Sequence, residues 1–162
     1  MAVDMFLKLD GIDGESTDSK HKDEIEILGY GWGVAQQGTS GSGGGGGAGK
    51  ATFEDLHVLA RLQKSSPKLF VACASGKHVK QGVLTVRKAG AKKFEFLKIT
   101  ISDVLVSSFE QVAPDDEADG APLEEIGLSF AKIQVDYTQQ SATGPAGAIT
   151  SASWDLKAGK GV

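Results

Sequence analysis

The residues that come nearest to chemistry in this chain are Gly44-Gly45-Gly46-Gly47-Ala48-Gly49-Lys50, which have the outline of a phosphate-binding loop. In such a loop, backbone N–H groups cradle the phosphates and a lysine reaches them. The motif also needs a hydroxyl directly after the lysine and a helix that begins there. Here Ala51 holds the hydroxyl position, and the following Ala-Thr-Phe-Glu-Asp-Leu-His-Val carries β-formers and no N-cap. Without a helix N-terminus to supply converging donors and the positive end of a dipole, the glycines make an arm rather than a phosphate site. The other candidates fare no better. His21, His57 and His78 fall in separate segments without metal-ligand spacing, and the single Cys73 excludes a cysteine-based zinc site within the chain. Ser65-Ser66 and Ser107-Ser108 lack the context of an exposed nucleophile. Trp32 and Trp154 are the residues that could stack on a sugar, which keeps a glycan-binding β-domain as the alternative. Both sit in strand-like alternation, however, which favours core or interface anchors. No active site assembles from these residues, so the reading is a non-enzyme with no cofactor and no metal.

The 162 residues suggest one domain, 1–162, and the 40% hydrophobic content is enough for one core. A net charge of −4 argues against nucleic acid, whose binders present a basic face. No apolar run approaches the roughly 20 residues of a membrane helix, so no membrane insertion is expected. Met1 to Lys8 lacks the basic and apolar regions of a signal peptide. The expectation is synthesis in the cytoplasm and, if the protein leaves the cell, export without a cleaved signal. Charge is unevenly spread. Lys77, Lys80, Arg87, Lys88, Lys92, Lys93 and Lys98 cluster in one stretch, and Asp115, Asp116, Glu117, Asp119, Glu124 and Glu125 in another. They read as two solvated segments, or as complementary faces on repeated subunits.

The elements are mainly strands. Val3, Met5, Leu7 and Leu9 alternate with other residues in a period of two. In residues 24–35 the apolar parity changes, from Ile25 and Ile27 to Leu28, Tyr30, Trp32 and Val34. The same change occurs at 93–107, where Phe94 and Phe96 give way to Leu97, Ile99 and Ile101, and then to Val104 and Val106. It recurs at 126–137, between Phe130 and Ile133. A one-residue slip turns every later side chain to the other face, and bulges or bends cause it. The pattern predicts long, bent antiparallel strands that close a small β-barrel. A helix is expected at about 66–75, with Ser66 as N-cap, Pro67 at N1, Leu69, Phe70 and Cys73 along one face, and Gly76 as C-cap. It would flank the barrel. A strand at 79–88, loops at 110–122 and 138–148, and a last strand at 149–156 complete the chain.

The series Ile12-Asp13-Gly14-Glu15-Ser16, Glu24-Ile25, the Tyr-Gly-Trp-Gly of Tyr30 to Gly33, and the glycine-rich arm ending Gly-Ala-Gly-Lys is distinctive. Lys64-Ser65-Ser66-Pro67, Ala74-Ser75-Gly76-Lys77-His78, Leu84 to Gly90, Val104 to Ser108, Phe130 to Tyr137 and Trp154-Asp155 continue it. In order and spacing these segments resemble the haemolysin-coregulated protein (Hcp) family of bacterial type VI secretion systems, nearly end to end. The resemblance implies a homohexameric ring that stacks into the inner tube of the machine. It also implies type VI spike and sheath components as partners, and small effector proteins carried in the lumen and exported with the tube. Within that picture the extended loop Gly38, Thr39, Ser40, Gly41, Ser42, Gly43, Gly44, Gly45, Gly46, Gly47, Ala48, Gly49 and Lys50 is the candidate ring-contact and stacking arm. Gly29, Gly31 and Gly33 share a strand parity and form the candidate lumen or cargo strip. The alternative reading of these three is that Tyr30 and Trp32 need room beside them.

Overall fold

The computed structural model describes residues 2–38, 50–113, 115, 120–142, 144 and 146–161. In chain order the elements are β1 (Val3–Leu9), β2 (Ile25–Gly31), β3 (Val34–Gln36), β4 (Ala51–Phe53), β5 (Leu56–Arg61), α1 (Ser66–Ser75), β6 (His78–Lys88), β7 (Phe94–Val112), β8 (Leu123–Ser129), β9 (Lys132–Gln140), β10 (Ala146–Asp155) and β11 (Lys160–Gly161). The main sheet runs β11-β10-β9-β7-β6-β1-β2-β5-β8, and β8 also pairs with β7. That second pairing closes β7, β6, β1, β2, β5 and β8 into a six-stranded antiparallel barrel. It leaves β9, β10 and β11 as a wing.

One strand makes this possible. β7 is 19 residues long, against the roughly 5–6 of an ordinary strand. Residues 97–102 pair with β9 and residues 105–112 with β8, so one strand serves both barrel and wing. The parity changes seen in the sequence have physical counterparts. The β2–β5 register shifts between Ile27 and Gly29. The β6–β7 register shifts opposite Phe96, between Val86 and Arg87. Asp103, at a left-handed φ of 54°, separates buried Ile99 and Ile101 from buried Val104 and Val106. The change near Phe130 is a jog that divides β8 from β9. Bulges of this kind bend a strand and increase its twist, which a narrow barrel requires.

The inward faces pack Leu7, Ile25, Leu56, Val58, Leu84, Ile101, Ile126 and Leu128, each at most 1% exposed. α1 covers the end of the barrel where β5 stops and β6 begins, with Leu69 and Ala72 turned into the core. Two details of the expected helix are corrected. Ser66 lies inside the helix and its hydroxyl accepts from the Gln63 amide at 3.0 Å, while the cap position falls to Ser65. Phe70 is 57% exposed, because a 100° step from Leu69 carries it off the buried face. Gly76 caps the C-terminus at φ 67°, and the amide of Lys77 donates to the Ala72 carbonyl at 3.2 Å. The expected last strand, 149–156, begins three residues earlier and is followed by β11.

Candidate functional site

The arm springs from a two-stranded ribbon. β3 and β4 pair antiparallel, Val34 with Phe53, Ala35 with Thr52 and Gln36 with Ala51. Gly38 and Lys50, both exposed, stand at the mouth of the hairpin, while residues 39–49 of the expected stacking arm lie outside the described residues. A two-stranded ribbon is marginal by itself in water. This one is tied to the wing by aromatic packing. The Phe53 ring meets Phe130 edge-on at 6.3 Å between centroids and stacks on Trp154 at 6.5 Å. The stacking leaves Trp154 engaged within the protein, and Trp32 packs against the barrel core. Both tryptophans are partly buried in these contacts and serve as packing anchors.

The glycine strip divides at the end of β2. Gly29 and Gly31 pair with Leu59 and His57 of β5, on the outward face. Gly33 lies past the strand, where its carbonyl accepts from the Glu54 amide at 2.9 Å. A Cβ placed on Gly29 or Gly31 would meet no atom within 4 Å, whereas one on Gly33 would come 3.2 Å from Glu54 Oε2. The row through Gly31 continues across the sheet to His57, Gly127 and Ser108. The row through Gly29 continues to Leu59, Glu125 and Glu110. The face is thus open over Gly29 and Gly31 and carries His57, Leu59, Glu125 and Glu110 beside them.

Sequence reasoning missed the polar latch on the opposite wall. Phe6 faces outward from β1 yet is 3% exposed, because the 10–24 loop folds over it. The His21 ring stacks on Phe6 at 4.4 Å, with Nδ1 2.8 Å from Glu24 Oε2 and Nε2 2.9 Å from Glu95 Oε1. The Arg87 guanidinium sits 4.8 Å from the Phe6 centroid and forks onto Asp18, donating from Nη1 to Oδ1 at 3.0 Å and from Nη2 to Oδ2. Arg87 also reaches Asp4, and Lys93 reaches Asp18. Hydrogen bonding from Arg87 holds the Asp18 carboxyl far below the usual carboxylate range. These groups fasten a long polar loop to the barrel. Their signal in the sequence was faint, since Asp18 and Arg87 lie 69 residues apart.

A second polar group is inside the protein. Glu124 is fully buried, facing Ala60 of β5 and Gln111 of β7. Neither carboxylate oxygen has a partner at hydrogen-bond geometry, and the same holds for the buried Ser65 hydroxyl. Burial pushes the Glu124 carboxyl up from its ordinary value, against the weaker opposing pull of the nearby Ser66 and Gln111 side chains. Elsewhere, Asp103 is held down by Lys157 at 3.2 Å and then by His78 at 2.9 Å, all on the surface. Among the described residues no group of three or more His, Cys, Asp or Glu is placed to hold a metal ion. Nor is any helix long and apolar enough to cross a membrane.

Comparison with known proteins agrees with this geometry. Residues 6–137 match the sequence model of the family described as type VI secretion system effector, Hcp. The chain is 43% identical over 159 residues to protein hcp1 of Pseudomonas aeruginosa, covering 97% of each. Among solved structures, Hcp1 from Salmonella typhimurium superposes with a TM-score of 0.83 at 37% identity over the whole of both chains. A structure described as a type six secretion system protein superposes at 0.92 and 33% identity, over 99% of this chain and 100% of the other. With the closed barrel, the covering helix and the match along most of its length, the chain belongs to the Hcp family of type VI secretion system proteins.

Proposed function

We propose that the protein is the ring-forming subunit of the type VI inner tube, a homohexamer whose rings stack, meet the spike and sheath, and carry small effector proteins out of the cell. The observation that carries this reading is the unfinished edge of the wing. Among the described residues β11 covers the outer edge of β10 only at Trp154 and Asp155, and the stretch Ala146–Ala152, including Ile149 at 66% exposure, pairs with β9 alone. Tyr137 on the neighbouring strand is 50% exposed. An open edge beside exposed apolar side chains invites pairing, and a head-to-tail contact between copies that closes makes a ring.

In this reading residues 1–162 act as one unit. The arm from Gly38 to Lys50 reaches the adjacent ring from the β3–β4 ribbon, which Phe53 fastens to the wing. Gly29 and Gly31, with open space over the backbone, belong to the cargo-facing wall, and Gly33 sits at its margin. Export proceeds from the cytoplasm with the tube and without a cleaved signal. Electron microscopy of the purified protein tests the assembly: rings with an open centre support it, and a field of compact single particles at all concentrations rejects it.

A further inference from the structure

A groove of about 810 Å³ lies between α1, the turn after β1 and the start of β6. Its floor is apolar, formed by Ile12, Val71 and Val79, and its rim carries Lys68, Lys77 and Lys80. All three lysines are exposed and none pairs with an acid among the described residues. The rim has one acid, Asp10, and its histidine, His78, is already engaged by Asp103. An apolar floor under an unneutralised cationic rim fits an acidic segment that also offers apolar contact.

The chain supplies such a segment. Residues 113–120 read Ala-Pro-Asp-Asp-Glu-Ala-Asp-Gly, with four acids and no base. They join the end of β7 to the start of β8, where Val112 pairs with Leu123. Both strand ends lie at the end of the barrel that α1 covers, because Arg61, three residues before the helix's cap neighbour Lys64, pairs with Leu123. The groove and the two strand ends that the acidic segment joins are therefore at one end of the protomer. Copies arranged side by side in a ring hold these ends at one level.

We infer that the acidic segment 113–120 of one copy seats in the lysine-rimmed groove of its neighbour, and that this charge pairing sets the order of subunits around the ring. The inference rests on the ring reading above. Rim charges act mainly on association and on the rejection of wrong partners, and salt weakens them.

A charge swap and a cross-link test it together. Lys77→Glu with Lys80→Glu should raise the concentration needed for half-assembly by about tenfold or more at low salt, with the melting temperature unchanged. Adding Asp115→Lys and Asp116→Lys should restore assembly. In a Cys73→Ser background, Lys77→Cys with Asp115→Cys should give, on oxidation, a ladder of covalent oligomers on a non-reducing gel. The inference is overturned if the reversed variant forms rings as readily as the wild type, or if the cross-link closes within single chains. It is also overturned if assembled rings give no cross-link. A wild type that forms no ring would remove the ring reading itself, which separates the two failures.

Discussion

Glu124 is the residue whose environment departs furthest from what its type prefers. Burial raises the Glu124 carboxyl above its ordinary value, whereas the unfolded chain ionises it in the ordinary glutamate range. Below that range the group is neutral in both states and the native state keeps its full stability. As pH rises towards the folded-state value, only the unfolded chain releases the proton, so stability falls. Thermal melts across pH 5 to 8 should show the wild type losing ground to Glu124→Gln as pH rises; parallel curves would contradict the assignment. The glycines give a second contrast. A Cβ on Gly14 would lie 2.5 Å from the Glu24 carbonyl oxygen, so Gly14→Ala should destabilise the protein by about 1–3 kcal/mol. Gly31→Gln meets no such obstacle and should leave the melting temperature unchanged. On the proposed cargo wall it should still reduce retention of effectors in co-purification. Retention equal to the wild type would remove Gly31 from that wall. Strand parity put Gly29 and Gly31 on one face, and both do pair outward with β5. The sequence left Glu124 hidden, because an acid within an acidic run reads as solvated until three strands and a helix close around it.

At the scale of elements, the bends were the most legible feature. Each change of apolar parity marks a place where a strand turns its other face to the core, and three such places coincide with register shifts or a jog. What could not be read was the double duty of β7, since which edge a strand offers to which neighbour depends on partners far away in the chain. The covering of Phe6 by the 10–24 loop was hidden for the same reason, and Phe70 was placed on the wrong side of α1 by apolarity alone. The ribbon of β3 and β4 likewise emerged only once Phe53 was seen against Trp154 and Phe130. Because this aromatic anchor and the paired strands lie outside residues 41–49, deletion of Gly41 to Gly49 should leave the thermal melt of the isolated subunit intact. It should sharply reduce stacking of rings or secretion. Normal secretion by the deletion variant would take the stacking role from the arm.

At the scale of the whole molecule, the barrel satisfies its own edges and the wing does not. Closure between β7 and β8 protects six strands, whereas on its outer edge β10 has, among the described residues, only the two-residue β11 as partner. An open edge of this kind favours pairing between copies, and a closed arrangement of copies limits that pairing. In the proposed function a ring is that closed arrangement, and the outward face of β2, β5, β8 and β7 would line its open centre. The most direct measurement is the native mass of the purified protein under gentle ionisation. The account predicts a dominant species of six chains; a single chain as the dominant species at every concentration that gives signal would contradict it.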